Sequence, residues 1–302
     1  MFFGVLSYWE YRRLERQKLL ARLRSEWGVS HLNKKRDFSE ISALFEQSQH
    51  TNNVIDDRTW QDLTMDMVFA KIDRTSTWPG VQRLYHILRS PELDKDNPLE
   101  RRGQIITHLQ ENDEDREEVQ LILSGMDARI GSGLATLLWD TPQIKPIYPL
   151  FIYYIMFGLA VLSPLLLFIG PKFAITILFV FQINMYLHFK VQKQIRAHFE
   201  GVRSLRQLIK ISKKLANLDL TFVAEELAEL RQSLAEVKRF NKLVRFVGVE
   251  STDPLAHMSQ QYFTIFFLAE VRGFYRALDF IAENREALQK VFLAVGELDA
   301  LQ

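Results

Sequence analysis

The chain has 302 residues, of which 47% are hydrophobic and 25% are charged, enough for one large globular domain or two. Its formal net charge is +1, so any attraction to nucleic acid must come from a local patch. The chain contains no cysteine, which excludes disulfides, thiolate zinc sites, iron–sulfur clusters and cysteine nucleophiles.

The N-terminal stretch MFFGVLSYWEYRRLERQKLLARL begins with a short apolar run and then becomes basic. The run is too short to span a membrane, and a signal peptide would place its charges before the apolar residues. Two interpretations stay open: an amphipathic helix that lies on a membrane surface, and the start of a soluble helix. We assign residues 1–52 to an N-terminal amphipathic helical segment.

Between residues 37 and 123, apolar residues recur at helical spacing, and no convincing alternating strand pattern occurs. Asp37 or Ser39 can cap the first of these helices, and Asp56 or Asp57 can cap another before Thr59. The apolar stripes that predict helices are Ile41, Leu44 and Phe45; Leu84, Ile87 and Leu88; Ile105, Ile106 and Leu109; and Val119, Ile122 and Leu123. The sequence therefore predicts an all-α fold, a helical bundle.

Residues 147–169 and 173–189 form two apolar runs without Asp, Glu, Lys or Arg, joined by Gly170-Pro171-Lys172. A spanning helix needs about 20 apolar residues; the first run meets this length, and the second is marginal because it contains Gln182 and Asn184. We predict a transmembrane helical hairpin over residues 145–190, with a kink at Pro164. The alternative is a buried hairpin in the core of a soluble protein.

A basic stretch follows the second apolar run. Between His188 and Leu215 there are eight Lys and Arg residues against one acid, Glu200. Positive flanks stay in the cytoplasm, which predicts two spans with both termini cytoplasmic. We predict that these basic residues bind anionic membrane lipid, or are simply a solvated helix face. The residues assigned to this membrane-surface cluster are Lys190, Lys193, Arg196, Arg203, Arg206 and Lys210.

The stretch FVAEELAELRQSLAEVKRFNKLVRFV, residues 222–247, alternates in charge and is rich in Leu and Glu. This pattern is typical of a long, exposed helix in a bundle or coiled coil. This Leu- and Glu-rich pattern is therefore compatible with a homodimer.

The sequence motifs for catalysis that we searched for are absent. G-x-x-x-x-G-K-[ST], G-x-G-x-x-G, H-E-x-x-H and G-x-S-x-G do not occur, and no two histidines lie three or four residues apart. The carboxylates that adjoin in sequence would point to different sides of a helix. We therefore predict a chain that is not an enzyme by itself, with no catalytic, metal-binding or cofactor-binding residues.

The stretch from Asp56 to Pro91, DDRTWQDLTMDMVFAKIDRTSTWPGVQRLYHILRSP, resembles the start of the core domain of MutS-type mismatch-repair proteins. The family pattern is D-x-x-T-x-x-x-L, followed by L-D-x-T-x-T-x-x-G-x-R-x-L-x-x-W-L-x-x-P. Its first part is matched loosely and its second part in order. The matching positions are Asp57, Thr59, Ile72, Asp73, Arg74, Thr75, Thr77, Gly80, Leu84, Leu88 and Pro91, then Arg102 in the next helix, and Leu298 and Asp299 in the closing helix.

The resemblance covers roughly residues 53–130 and 265–302, and it departs from the family at two motif positions. The family's Arg is Gln82 here, and its Trp is Ile87. Counterparts of the family's mismatch-reading domain, DNA clamp and ATPase domain are not found in the sequence. The resemblance implies a first half of the core domain at 53–140 and a second half of the core and lever at 191–302. It also implies that the motif residues are structural.

Three functional hypotheses follow. The first is a membrane-anchored, MutS-like helical scaffold that is coupled to an ATPase domain missing from this chain or to a protein partner. The second is a fragment of a mismatch-repair protein that binds mismatched DNA and senses damage in an ATP-dependent way. The third is an unrelated membrane helical adaptor.

Overall fold

The structure is a computed structural model. It describes the backbone of all residues except 1, 30, 33, 49–52, 92–97, 127–130, 132, 141–143, 245–246 and 248–253. Beyond these, the side chains of 2–9, 12, 196, 197, 241, 254 and 256 are not described.

The part of the chain that the structure describes consists of helices and connections, with no strand, which confirms the all-α prediction. The α-helices are α1 (Phe2–Glu26), α2 (Phe38–Ile41), α3 (Ala43–Gln47), α4 (Asp57–Asp62), α5 (Met65–Ile72), α6 (Trp78–Arg89), α7 (Pro98–Glu111), α8 (Asp113–Leu123), α9 (Leu134–Trp139), α10 (Leu150–Leu162), α11 (Ala174–Ala216), α12 (Ala224–Glu236), α13 (Phe240–Leu243), α14 (Pro254–Phe266), α15 (Ala269–Glu283) and α16 (Arg285–Leu301). Short 3₁₀ helices cover Ser163–Phe168, Pro171–Phe173 and Thr221–Val223.

Helix α11 is the central element of the fold. It has 43 residues, so at 1.5 Å per residue it is about 65 Å long. Its first part belongs to the apolar hairpin, and its second part carries a stripe of fully buried residues that includes Ile195, Leu205, Leu208 and Leu215. Helices α8, α9, α12, α15 and α16 pack around that stripe. One continuous helix therefore belongs to both the hairpin and the main hydrophobic core.

A second, smaller hydrophobic core lies beside α6, on the side away from α16. It is built from aromatic side chains of α3, α4, α5 and α6, among them Phe45, Trp60, Phe69 and Tyr85. The ring centroids of Phe45, Trp60 and Phe69 lie 5.0 to 6.0 Å from the ring centroid of Tyr85, in tilted and edge-to-face arrangements, as aromatic rings prefer. Helix α6 is thus held between this aromatic cluster and α16.

Two segments are long and apolar enough to cross a membrane, Leu150–Phe168 and Pro171–Ile195. Only 17% and 28% of the residues in their most apolar stretches are buried, so the side chains of the hairpin mostly face outward. A hairpin at the centre of a soluble core would be buried almost throughout. At Ser163 the α-helix gives way to a 3₁₀ helix with Pro164 in its first turn, the position at which the sequence predicted a kink.

The long exposed helix predicted over residues 222–247 is not observed. Helix α12 ends at Glu236, and the separate short helix α13 begins at Phe240. The reason is tertiary packing: Val237 and Phe240 are fully buried, and the chain turns between them to place both in the main core. The Leu residues that suggested a coiled coil, Leu227 and Leu230, are buried within the same core.

Candidate functional site

The start of helix α6 is built from the motif residues that follow α5. Thr77 is the N-cap of the helix, and its hydroxyl accepts a hydrogen bond from the Gly80 amide at 3.1 Å. Pro79 lies in the first helical turn, where its missing N–H costs nothing. Helix α6 ends at Arg89, with Ser90 as C-cap, before Pro91. The motif spacing thus sets both ends of α6.

The carboxylate of Asp299, from the closing helix α16, lies against this helix start. It accepts hydrogen bonds from the Ser76 amide at 3.0 Å, the Thr77 amide at 2.7 Å and the Thr77 hydroxyl at 2.6 Å, and a further one from the Gln302 side chain. Asp299 is buried, and burial raises its pKa to about 6, although the donors on Ser76 and Thr77 limit the rise. At neutral pH its negative charge lies at the positive end of the α6 dipole.

Two glycines allow α6 and α16 to approach this closely. A Cβ atom on Gly80 would lie 2.7 Å from the Cβ of Asp299, and one on Gly296 would lie 2.7 Å from the Pro79 carbonyl oxygen. Both distances are shorter than van der Waals contact, so any side chain would push the helices apart. We call this contact, formed by residues 76–80 at the start of α6 and by residues 296–299 of α16, the α6–α16 joint.

A second buried carboxylate, Asp73, supports the loop before α6. It accepts a hydrogen bond from the Thr75 hydroxyl at 2.7 Å and forms ion pairs with Lys34 at 3.1 Å and Arg36 at 2.9 Å. Burial alone would raise the pKa of Asp73, but Lys34, Thr75 and Arg36 together hold it below its ordinary value. The neighbouring Arg74 points outward and donates to the backbone carbonyls of Gly28 and Val29.

Glu297 connects three helices at the joint. Its carboxylate pairs with Arg83 of α6 at 2.6 Å and with Arg102 of α7 at 2.5 Å. Burial opposes ionisation, but the two guanidinium groups hold the pKa of Glu297 below its usual value. The predicted motif residue Arg102 therefore reaches the closing helix through a residue, Glu297, that the sequence did not single out.

The first part of the motif lies at the opposite end of α6. Asp56 is the N-cap of α4 and accepts from the Thr59 amide at 2.7 Å, as one of the two predicted caps. Asp57 pairs with Arg89, whose guanidinium carbon lies 4.8 Å from the centroid of the Phe45 ring and 5.2 Å from that of Trp60. Leu84 is buried in the aromatic cluster, and Leu88 packs against it. Asp57 and Thr59 are thus separated from the joint by the length of α6.

The basic residues of α11 are spread along its axis. Lys190 lies beside the hairpin, where it donates to the Tyr148 hydroxyl at 2.7 Å, and Lys193 is exposed one turn further on. Arg203 and Lys210 lie about 20 and 30 Å along the helix from Lys190, at 1.5 Å per residue. Arg206 is half-buried, and burial and the nearby Arg203 lower its pKa. The side chain of Arg196 lies outside the described residues.

The sequence singled out four residues of the joint but missed its charged partners. Thr77, Gly80, Leu298 and Asp299 came from the motif, as did Thr75 and Arg102 beside the joint. Lys34, Arg36, Arg83 and Glu297 carried no signal, because single charged residues usually face solvent. Among the described residues, no group of three His, Asp or Glu side chains is placed to hold a metal ion. Chemically, the arrangement can fix the relative position of α6, α7 and α16.

No protein-family model, curated protein or solved structure matches this chain. The resemblance to the MutS core domain therefore rests on the motif residues alone.

Proposed function

We propose that the chain is a membrane-anchored helical scaffold, not catalytic by itself, related to the core domain of MutS-type proteins. The observation that carries the proposal is the continuity of α11. The same unbroken helix contributes the apolar segment of the hairpin, up to Ile195, and the buried stripe of the main core. A displacement of the membrane-embedded part would pass along α11 into the bundle without an intervening flexible linker.

The α6–α16 joint supports the scaffold proposal and its link to the MutS family. Motif residues that are more than 200 positions apart in the chain, Thr77 and Asp299, are in direct hydrogen-bonded contact. Buried polar contacts of this kind fix one arrangement of helices, because any displacement leaves a buried carboxylate without donors. We propose that the joint holds α16 rigidly on α6, and that α16 passes movement to an ATPase domain, to a protein partner or to a second copy.

The hairpin would cross the bilayer twice, with the Gly170-Pro171-Lys172 turn on the far side and both termini in the cytoplasm. Its outward-facing apolar side chains support insertion in lipid, and the basic residues after Tyr186 support this orientation. Anionic lipid headgroups would contact Lys190 and Lys193, the two basic residues of α11 nearest the hairpin.

Membrane fractionation tests this function. The full chain is expressed in cells, membranes are washed with high salt and with alkaline carbonate, and the protein is then assayed for binding to matched and mismatched DNA duplexes at a stated salt concentration. We expect the chain to stay in the membrane pellet and to bind neither duplex. The control variant Phe179→Arg places a charge on the exposed face of the second span. A smaller fraction of this variant should be recovered in the membrane pellet.

Two results would contradict the proposal. Release of the wild-type chain by carbonate would mean that the hairpin is part of a soluble core. Tighter binding to the mismatched than to the matched DNA duplex would favour the alternative of a mismatch-repair fragment. Modification of Lys172→Cys from the outside of intact cells, by a thiol reagent that does not cross membranes, tests the orientation; the absence of other cysteines makes the signal specific.

A further inference from the structure

A belt of cations and tyrosines lies on the part of the hairpin that faces the bundle. On one side, the Lys190 ammonium lies 4.9 Å from the centroid of the Tyr148 ring and 5.5 Å from that of Tyr186. On the other side, Arg276 of α15 donates to the Tyr154 hydroxyl at 2.7 Å. Tyrosines with cationic partners are typical of the boundary between headgroups and hydrocarbon. This belt places the start of the hydrocarbon on the side of the hairpin that faces the bundle.

Helix α14 lies beyond this belt, beside the second span. The Asn184 side-chain amide donates to the Phe266 carbonyl at 2.6 Å, and the ring centroid of Phe181 lies 6.2 Å from that of Phe266 and 6.3 Å from that of Tyr262. Asn184 and Phe181 precede Tyr186 in α11, so they are nearer the hairpin turn than the belt is. The C-terminal part of α14 is therefore at the level that the hydrocarbon would occupy.

The composition of α14 fits that level. From Pro254 to Ala269 the chain contains no Asp, Glu, Lys or Arg, and the first charged residue after it is Glu270. The helix has 13 residues and is about 20 Å long, shorter than the roughly 30 Å of bilayer hydrocarbon. Helix α14 is thus too short to be a third span, but it is long enough to enter part of the bilayer.

The outward face of α14 is open and mostly apolar, with Ser259 and Gln261 as exposed polar residues. Leu255 is 79% exposed, Met258 52%, Tyr262 58% and Phe263 45%. The first three residues follow one another at spacings of three and four, so they lie on one side of the helix. In water this stripe would expose a large apolar surface; it is continuous with the exposed apolar surface of the hairpin, which includes Phe179.

A groove of about 520 Å³ separates α14 from the second span. Its walls are Ala174, Ile177, Leu178 and Phe181 on one side and Tyr262, Phe263, Phe266 and Phe267 on the other. No charged side chain lines it. A groove of this composition, opening at hydrocarbon level, fits a flexible alkyl chain.

We propose that α14 is a third membrane-embedded segment, which enters the bilayer partway beside the hairpin, and that the groove between α14 and α11 takes a phospholipid acyl chain. The occupant is lipid because the apolar stripe and the groove continue the surface of the two spans and lie on the membrane side of the belt. This inference rests on the proposed insertion of the hairpin, and the experiment separates the two.

Because the chain has no cysteine, a single introduced thiol reports on one position. We would attach an environment-sensitive fluorophore to Met258→Cys in α14, to Phe179→Cys in the second span and to Asp62→Cys, which is exposed in the bundle. Each labelled full chain is reconstituted in vesicles of equal amounts of phosphatidylcholine and phosphatidylglycerol. Quenching is measured with doxyl-labelled phospholipid and with aqueous iodide, and circular dichroism confirms that each variant is folded.

We expect the labels at 258 and 179 to be quenched by doxyl lipid and not by iodide, and the label at 62 to show the reverse. If iodide quenches the label at 258 as it does the label at 62, while the label at 179 is quenched only by doxyl lipid, the present inference is wrong and the hairpin insertion stands. If the labels at 258 and 179 both behave as the label at 62, both proposals are wrong. Protection of the label at 258 from both quenchers would mean that protein, such as a second copy, covers α14, and would also overturn the inference.

A second measurement addresses the groove. Ala174→Trp would fill it, whereas Ile175→Trp places the same indole side chain at a neighbouring position that does not line the groove and is 72% exposed. We expect native mass spectrometry to show phosphatidylglycerol retained by the wild type and by Ile175→Trp, and lost from Ala174→Trp. Equal retention by all three chains would contradict an acyl chain in the groove.

Discussion

The contact between Gly80 and Asp299 shows how a single residue type decides the α6–α16 joint. A β-carbon at position 80 meets the Asp299 side chain, which is fully buried and cannot move away. By contrast, a β-carbon at Gly103, on the exposed side of α7, meets no atom within 4 Å. The two glycines therefore differ in tertiary environment, although both lie in helices.

We predict opposite effects of alanine at these two positions. Gly80→Ala should lower the free energy of unfolding by about 2 kcal/mol or more, because overpacking forces the helices apart. Gly103→Ala should raise it by about 0.5–1 kcal/mol, because alanine is the better helix former. Thermal unfolding in detergent, followed by helical circular dichroism, measures both; equal stability of the two variants would contradict close packing at the joint.

The pKa of Asp299, raised to about 6 from 3.8 in the unfolded chain, gives the joint a defined pH dependence. The folded state binds the extra proton between these two values, so the stabilising contribution of Asp299 is complete below about pH 4 and falls as the pH rises to about 6. Above pH 6 it stays constant. Asp73 and Glu297, whose pKa values are lowered, contribute in the opposite sense: their stabilisation is lost as the pH falls below about 4.

Asp299→Asn isolates this contribution. The unfolding free energy of the wild type minus that of Asp299→Asn should decrease from pH 4 to pH 6. It should stay constant from pH 6.5 to pH 8. The measurement is denaturant unfolding in detergent at a series of pH values. A difference that stays constant across the whole range would mean that Asp299 does not titrate there.

At the scale of elements, Glu297 ties α16 to both α6 and α7. Glu297→Gln removes the charge that pairs with Arg83 and Arg102 and leaves two partly buried guanidinium groups with weaker partners. We expect a loss of about 3 kcal/mol in unfolding free energy. Glu286→Gln, at the exposed start of the same helix, is the matched control and should change stability by less than about 0.5 kcal/mol. Similar losses in the two variants would contradict a specific stabilising contribution from the ion pairs of Glu297.

Helix α11 also defines where its basic residues can act. Lys193 is near the belt, whereas Lys210 lies about 26 Å further along the axis, more than two Debye lengths at 0.1 M salt. The six residues predicted as one membrane-surface cluster are therefore spread over a distance that a single layer of headgroups does not cover. The proposed lipid contact is confined to the end of the cluster beside the hairpin.

At the scale of the whole molecule, this geometry predicts a lipid preference. Lys193→Gln should lower the enrichment of anionic phospholipid around the protein by about 1 kcal/mol, or roughly fivefold, whereas Lys210→Gln should leave it unchanged. The measurement is the lipid composition of discs extracted from mixed vesicles by an amphipathic polymer. An equal effect of the two substitutions would mean that α11 lies along the membrane surface rather than leading away from it.

The sequence by itself determined the all-α class, the two long apolar segments with the turn between them, and the helix that carries Leu84, Ile87 and Leu88. These features depend on local patterns: uninterrupted apolar length and helical spacing. The same local logic identified Asp56 as a candidate cap of α4. It failed over residues 222–247, where charge alternation predicted one long helix.

Only the tertiary structure decided which residues meet. The break between α12 and α13 arises because burying Val237 and Phe240 outweighs continuing the helix. The joint needs α16 to lie on α6, a contact between residues more than 200 positions apart that no local pattern encodes. Helix α14 also stood outside the prediction: it is too short for a span by length, and the proposal that it enters the membrane rests on its tertiary contacts with Phe181 and Asn184.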